Sequence, residues 1–377
     1  MAVDTSQATQ DLEPEQRPTA TLLIDTDVHE MPSKGLTMQD LVPYMDSHWA
    51  RFLTNDGGLW LGVPKPISYA APVAKGGVRE DWIHGDALPG SVLEHMVEDL
   101  IEGEGVTTPI INGQLFYPTV LPGDPEFAVA LAAAYNDYQV AEWLDREPRL
   151  CGSVHVAAQV PERAAQEIDR MAEHPRVVQV ILPLLTDKQW GDPFYRPVWE
   201  AAIRNDLVVV FHHSMATETL LGWPRYYIEW HTMAAPQAAQ NQVMSLIVNG
   251  TFDRYPELKV VMCEGGVTWV HWLMWRLDQQ YRELRANVPW VKRLPSEHIR
   301  SNVRAATQPI TEVTPSEFVK LVEMTETQDV YVFATDYPHF DADSADVLAA
   351  LPEELRNRIR YQNALETYPR LKGLLGV

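Results

Sequence analysis

The sequence predicts a single (β/α)8 barrel, an α/β fold in which eight parallel strands close on themselves inside a ring of helices. Three observations carry that expectation. About eight apolar runs alternate with helical patterns, several of these runs are apolar at every position, and His and carboxylate residues gather just past their C-terminal ends. Strand–helix alternation signals a parallel sheet, and strands buried on both faces lose the in–out polar alternation. Eight such units fit a closed barrel better than an open doubly wound sheet.

Taken in order, residues 1–20 are polar and acidic without an apolar core. They are expected to form a mobile tail and not a signal peptide. The barrel domain is expected over 21–377. Thr21–Ile24 opens it as a strand running into Asp25-Thr26-Asp27-Val28-His29. Asn55–Trp82 is rich in Gly and Pro with no period, and reads as a loop insertion at the barrel mouth. Val106–Phe116 is the second strand, followed by a helix over Pro125–Asp145. Leu150–Ala157, Val177–Leu185 and Leu207–Phe211 are the third to fifth strands, with helices over Pro161–His174, Phe194–Asn205 and Gln237–Phe252. Leu258–Cys263 precedes a helix over Val267–Leu284, Asn302–Ala306 a helix over Pro315–Thr327, and Val330–Ala334 is the eighth strand.

Composition narrows the function. The net charge of -22 repels phosphate, which excludes nucleic acid and anionic membrane surfaces as partners. No run approaches the roughly 20 apolar residues that span a bilayer. The two cysteines, Cys151 and Cys263, lie in apolar strand-like runs and read as reduced thiols, so a cytoplasmic location is expected. No GxGxxG or GxxxxGK[ST] follows any strand, which sets aside the dinucleotide-binding and P-loop alternatives.

The chemistry lies at the strand ends. The first strand ends in Asp27-x-His29, the fifth in His212-His213, the sixth in Glu264-Gly265-Gly266 and the eighth in Thr335-Asp336-Tyr337-Pro338-His339. In a barrel all C-terminal strand ends converge on one mouth, so four strands deliver N and O ligands to one point. Each residue alone is ordinary turn chemistry; the concentration after the apolar runs is not.

On IDTDVHE (24–30), VVFHHS (209–214), LKVVMCEGG (258–266) and FATDYPH (333–339), the chain resembles the amidohydrolase-related group of the amidohydrolase 2 type. That group includes aminocarboxymuconate-semialdehyde and resorcylate-type decarboxylases. The resemblance implies that Asp27 and His29 fill the family's [H/E/D]-x-H metal motif, that His212 is the fifth-strand ligand and that Asp336 is the eighth. His213 occupies the neighbouring small-residue position and ranks below His212. Those decarboxylases carry a catalytic His after the sixth strand, where this chain has Glu264, and Val177–Leu185 offers no Lys for carbamylation. The "EGG" is similar to a branch of non-haem dinuclear hydroxylases, among them a 2-aminoisobutyrate hydroxylase and a diterpene hydroxylase.

One divalent ion balances Asp27 and Asp336, so a third carboxylate in the same dry mouth needs a proton or a second cation. His231, in Tyr226-Tyr227-Ile228-Glu229-Trp230-His231, is the expected partner of Glu264 for that cation. The expected ligand set is therefore Asp27, His29, His212, His231, Glu264 and Asp336. Mixed O/N ligation suits two ions of iron or manganese, with zinc as the alternative. Glu264, His231 and His339 are the expected catalytic groups, His339 acting beside Asp336 as an outer partner or proton relay. His155 reads as a core histidine, and Trp269, Trp272 and Trp275 as helix packing. The expected function is O2-dependent hydroxylation of a small organic substrate. The alternative is a mononuclear Zn or Mn decarboxylase or hydrolase of a carboxylated molecule, and a third reading is a non-catalytic barrel subunit. Expected partners are the small-molecule substrate, an electron-donor reductase, and further copies of the chain or a homologous barrel.

Overall fold

Eight strands form one sheet in a computed structural model: β1 (Ile24–Val28), β2 (Thr108–Ile111), β3 (Cys151–His155), β4 (Val177–Pro183), β5 (Val208–His212), β6 (Val260–Met262), β7 (Val303–Ala306) and β8 (Tyr331–Val332). Their order follows the chain and every pairing is parallel. The structure describes residues 22–31, 33, 39–55, 77–113, 124–184, 186, 188–213 and 226–377. The expected tail over 1–20, Thr21, most of the expected insertion over 55–82, the end of the run to Phe116, and Leu185 lie outside them.

The ring closes between the last strand and the first. Thr26 donates its backbone N–H (3.0 Å) and its hydroxyl (2.9 Å) to Phe333 O, Asp336 N donates to Asp27 O at 3.0 Å, and His29 N donates to Tyr337 O at 2.9 Å. The fold class expected from the sequence is the one observed.

Strand residues alternate between two apolar layers. Val209, Phe211, Val260, Met262, Tyr331 and Phe333 face the helices. Ile24, Ile110, Val208, Val210, Val261 and Val332 fill a second layer with Tyr368 and Leu371, from the C-terminal segment. Arg370 donates to the carbonyl of Val177, the first residue of β4, at 2.6 Å. The C-terminal helix Pro369–Leu375 thus covers the N-terminal ends of the strands, leaving the opposite mouth for the site.

Three local expectations differ. β1 runs through the carboxylates to Val28 instead of stopping at Ile24. Asp25 can lie in the strand because it accepts from Thr335 N (3.0 Å) and Thr335 Oγ1 (2.5 Å). The helix expected from Gln237 starts at Tyr227 and continues through Pro236. A Pro removes one N–H but is no absolute stop, and Glu229 anchors the start by accepting from Tyr226 N at 2.7 Å. On the helix Trp269–Leu284, Trp269 is buried, but Trp272 and Trp275 are exposed instead of packed. Among the described residues no helix is long and apolar enough to cross a membrane.

Candidate metal centre at the barrel mouth

Asp27, His29, His212 and Asp336 each offer one donor atom, and these atoms lie within 4.8 Å of one another. All four side chains are buried. Asp27 is in β1 and His29 just past it, His212 ends β5, and Asp336 follows β8.

The backbone selects which nitrogen each imidazole presents. His29 Nδ1 donates to Gly113 O at 2.7 Å and His212 Nδ1 donates to His213 O at 2.6 Å. A carbonyl only accepts, so both rings carry the proton on Nδ1 and turn Nε2 inward. His29 Nε2 lies 3.1 Å from Asp336 Oδ1 and 3.5 Å from Asp27 Oδ1; His212 Nε2 lies 3.6 Å from Asp27 Oδ2.

The carboxylates are set in the same way. Asp27 Oδ1 accepts from Asn112 Nδ2 at 2.6 Å, and Asp336 Oδ1 pairs with His339 Nδ1 at 2.8 Å. Asp27 Oδ2 and Asp336 Oδ2 are buried without a hydrogen-bond partner. Buried carboxylate oxygens left in this way are costly, and two carboxylates gathered with two imidazoles make a donor set that a divalent cation satisfies. The residues fit a metal.

Charge agrees. Burial pushes Asp27 up to about 7, against the pull of His29 and with the repulsion of Asp336. For Asp336, burial is outweighed by the charge of His339 and by hydrogen bonds from His29 and His339, which hold it well below the usual carboxylate range. Burial likewise opposes the charge on His29, but the Asp336 hydrogen bond and both carboxylates hold it up at about 10. His212 is pushed down by burial, then by His29 and His213.

A second group, His212, His213 and Glu264, adjoins the first. Glu264 Oε2 lies 3.2 Å from His212 Nε2 and contacts His213 Nε2. His212 belongs to both groups but has one Nε2 lone pair, so it serves one cation at a time. His231 is in neither group: its Nε2 faces Asp341 Oδ2 at 3.3 Å, and that oxygen also accepts from Gln308 Nε2 at 3.1 Å. The imidazole beside Glu264 is therefore His213, not the expected His231. The sequence ranks His213 below His212 because it occupies the family's small-residue position, but β5 ends at His212 and His213, just past it, reaches Glu264.

Glu264 (φ 54°) and Asp336 (φ 64°) both adopt the left-handed backbone region. This region is sparsely used by residues other than glycine and is found where a site over-determines it. His155, as expected, is a core histidine: burial pushes it down to about 3, and Nε2 donates to Asn112 O at 3.1 Å. A cavity of about 210 Å³ opens beside Glu264, lined in part by His213, Trp230, His231, Pro309 and Asp341.

The sequence profile of the amidohydrolase family matches residues 112–370. The chain is 25% identical over 321 residues to 6-methylsalicylic acid decarboxylase of Penicillium expansum, covering 80% of this chain and 92% of that one. An amidohydrolase from Mycobacterium avium subsp. paratuberculosis K-10 superposes with a TM-score of 0.69 at 19% identity, over 92% of this chain and 98% of that one. The 5-carboxyvanillate decarboxylase of Novosphingobium aromaticivorans, solved with manganese and 4-hydroxy-3-methoxy-5-nitrobenzoic acid, gives 0.67 at 18% identity, over 96% of this chain and 100% of that one.

Proposed function

Because the chain belongs to the amidohydrolase family, we propose that it is a metal-dependent carboxy-lyase that removes CO2 from a small aromatic carboxylic acid. The observation that carries this reading is a two-histidine, two-carboxylate cluster in a chain resembling 6-methylsalicylic acid decarboxylase over nearly all of that enzyme's length. It replaces hydroxylation as the leading reading.

Asp27, His29, His212 and Asp336 would hold the ion, with manganese the first choice because the Novosphingobium enzyme carries it. A divalent cation held there would supply Lewis-acid charge to a bound carboxylate. The cavity beside Glu264 is below the ~300 Å³ of a drug-sized pocket, and its Trp230 and Pro309 walls suit one ring. Loss of CO2 breaks the ring carbon–carboxyl bond and leaves its electron pair on the carbon, which must take a proton. His231, on the cavity wall and held by Asp341, is the group we assign to that delivery. His339 keeps Asp336 ionised.

The test is apoprotein reloaded with Mn(II), offered 6-methylsalicylate, 5-carboxyvanillate and other ortho-hydroxybenzoates in an anaerobic chamber. The expected result is CO2 and the decarboxylated arene without oxygen. No CO2 release from any of these acids overturns the reading.

One observation favours a second reading, O2-dependent hydroxylation at two metal ions with an electron-donor partner. Glu264 and His213 stand beside the first cluster as donors for a second cation. Under that reading product forms only with oxygen and carries label from ¹⁸O2.

A further inference from the structure

Beside the candidate ligands, a chain of buried polar side chains runs from β4 through β3 and the end of β2 to Asp27 in β1. Gln179 in β4 donates from Nε2 to Asn112 Oδ1 (2.5 Å) and to Ser153 Oγ (2.8 Å). Ser153 in β3 places its hydroxyl 3.0 Å from Asn112 Oδ1 and 2.8 Å from Ile111 O. Asn112, just past β2, donates from Nδ2 to Asp27 Oδ1 at 2.6 Å. Asn112, Ser153, Gln179 and Asp27 are each 0% exposed.

This arrangement has a direction. An amide can be turned either way, but Thr26 O is a carbonyl and only accepts, so the Asn112 atom 3.4 Å from it must be Nδ2, and Oδ1 is left to face Gln179 and Ser153. That forces the NH2 of Asn112 toward Asp27, where it engages Oδ1 and leaves Oδ2 unengaged. The main chain of Asn112 is fixed as well, its N–H on Val28 O (2.7 Å) and its carbonyl on His155 Nε2 (3.1 Å). Three polar residues with nothing to gain from an apolar barrel interior are thus spent on the orientation of one carboxylate.

We infer that Asn112 is the positioning residue for Asp27, and that Gln179 and Ser153 act through it to aim Asp27 Oδ2 at a divalent cation in the barrel mouth. The inference rests only on the metal-holding part of the proposed function, and not on the reaction. Partners of this kind typically contribute about 10–100-fold to metal affinity.

The test titrates Mn(II) alone into the full-length apoprotein and records apoprotein unfolding in parallel. Gln179→Met keeps the volume but removes the donor, and touches no candidate ligand. It is expected to weaken Mn(II) binding about tenfold, and Asn112→Asp, which removes the donor facing Asp27, by about 10–100-fold. In the Asn112→Asp/Gln179→Met double variant the losses are expected to be less than additive, since Gln179 acts through Asn112. A folded Gln179→Met protein with wild-type Mn(II) affinity overturns the inference, and so do fully additive losses. Should Asn112→Asp fail to fold, Gln179→Met and Ser153→Ala give the same decision. CO2 release plays no part in this readout, so the carboxy-lyase reading and this inference fail separately.

Discussion

Asp336 donates its backbone N–H to the carbonyl of Asp27 at 3.0 Å. The bond joins the end of the chain's last strand to its first, and the side chains of the same two residues supply half of the four-residue donor cluster. Barrel closure and ligand convergence are one event: whatever separates β8 from β1 also pulls the carboxylates apart.

That bond is made by the main chain, so removing a side-chain charge should spare the barrel. Asp336→Asn keeps the size and suits a residue at φ 64°, since Asn tolerates the left-handed region. The expected result is at least a tenfold loss of Mn(II) affinity by titration, with far-UV circular dichroism unchanged. Unchanged affinity would remove Asp336 from the ligand set.

Gly113 places the carbonyl that orients His29. Its φ is +69°, and a Cβ there would lie 2.5 Å from Tyr135 Oη. Gly113→Ala should cost about 1–3 kcal/mol in unfolding free energy, read by denaturant titration. It should also weaken metal binding, because the carbonyl that fixes the His29 tautomer must move.

The pH profile tests His231. Burial favours its neutral form, but the Asp341 hydrogen bond and the charges of Glu264 and Asp341 outweigh burial and the opposing His213, raising it above its ordinary value. A proton donor with a raised pKa works below that value and is lost as pH rises through it. Asp341→Asn should therefore move the basic limb of kcat toward lower pH. A limb that stays in place would take the proton-delivery role from His231.

Metal counting separates the two chemistries. The carboxy-lyase reading expects about one ion per chain by elemental analysis, and the same count in Glu264→Gln. Two ions in the wild type falling to one in that variant would promote the dinuclear reading.

The candidate ligands were legible because polar donors follow apolar runs: Asp27, His29, His212 and Asp336 stand out at the ends of the first, fifth and eighth strands. Asn112, Ser153 and Gln179 were not. A single amide or hydroxyl in a strand carries no signal until the ring brings β1 to β4 together around one interior. His231 was assigned to Glu264 because both fall in the mouth, but sequence order does not reveal that Asp341 pairs with it. The first turns of the helix from Tyr227 were hidden by Pro236.

The left-handed backbone at Glu264 and Asp336 has a consequence for how such a molecule changes over time. Glycine would relieve a backbone cost at both, largest at Glu264 at about 1–2 kcal/mol, since Asp tolerates this region better. Substitution to glycine is thus a standing opportunity for heat resistance at both strand ends, and each such gain deletes a carboxylate. A directed search for hardier variants, run without an activity screen, should accept glycine there as readily as at Asp206 and Glu326, which share the conformation outside the site. A lineage keeping both acids is one in which selection on chemistry has outweighed selection on endurance.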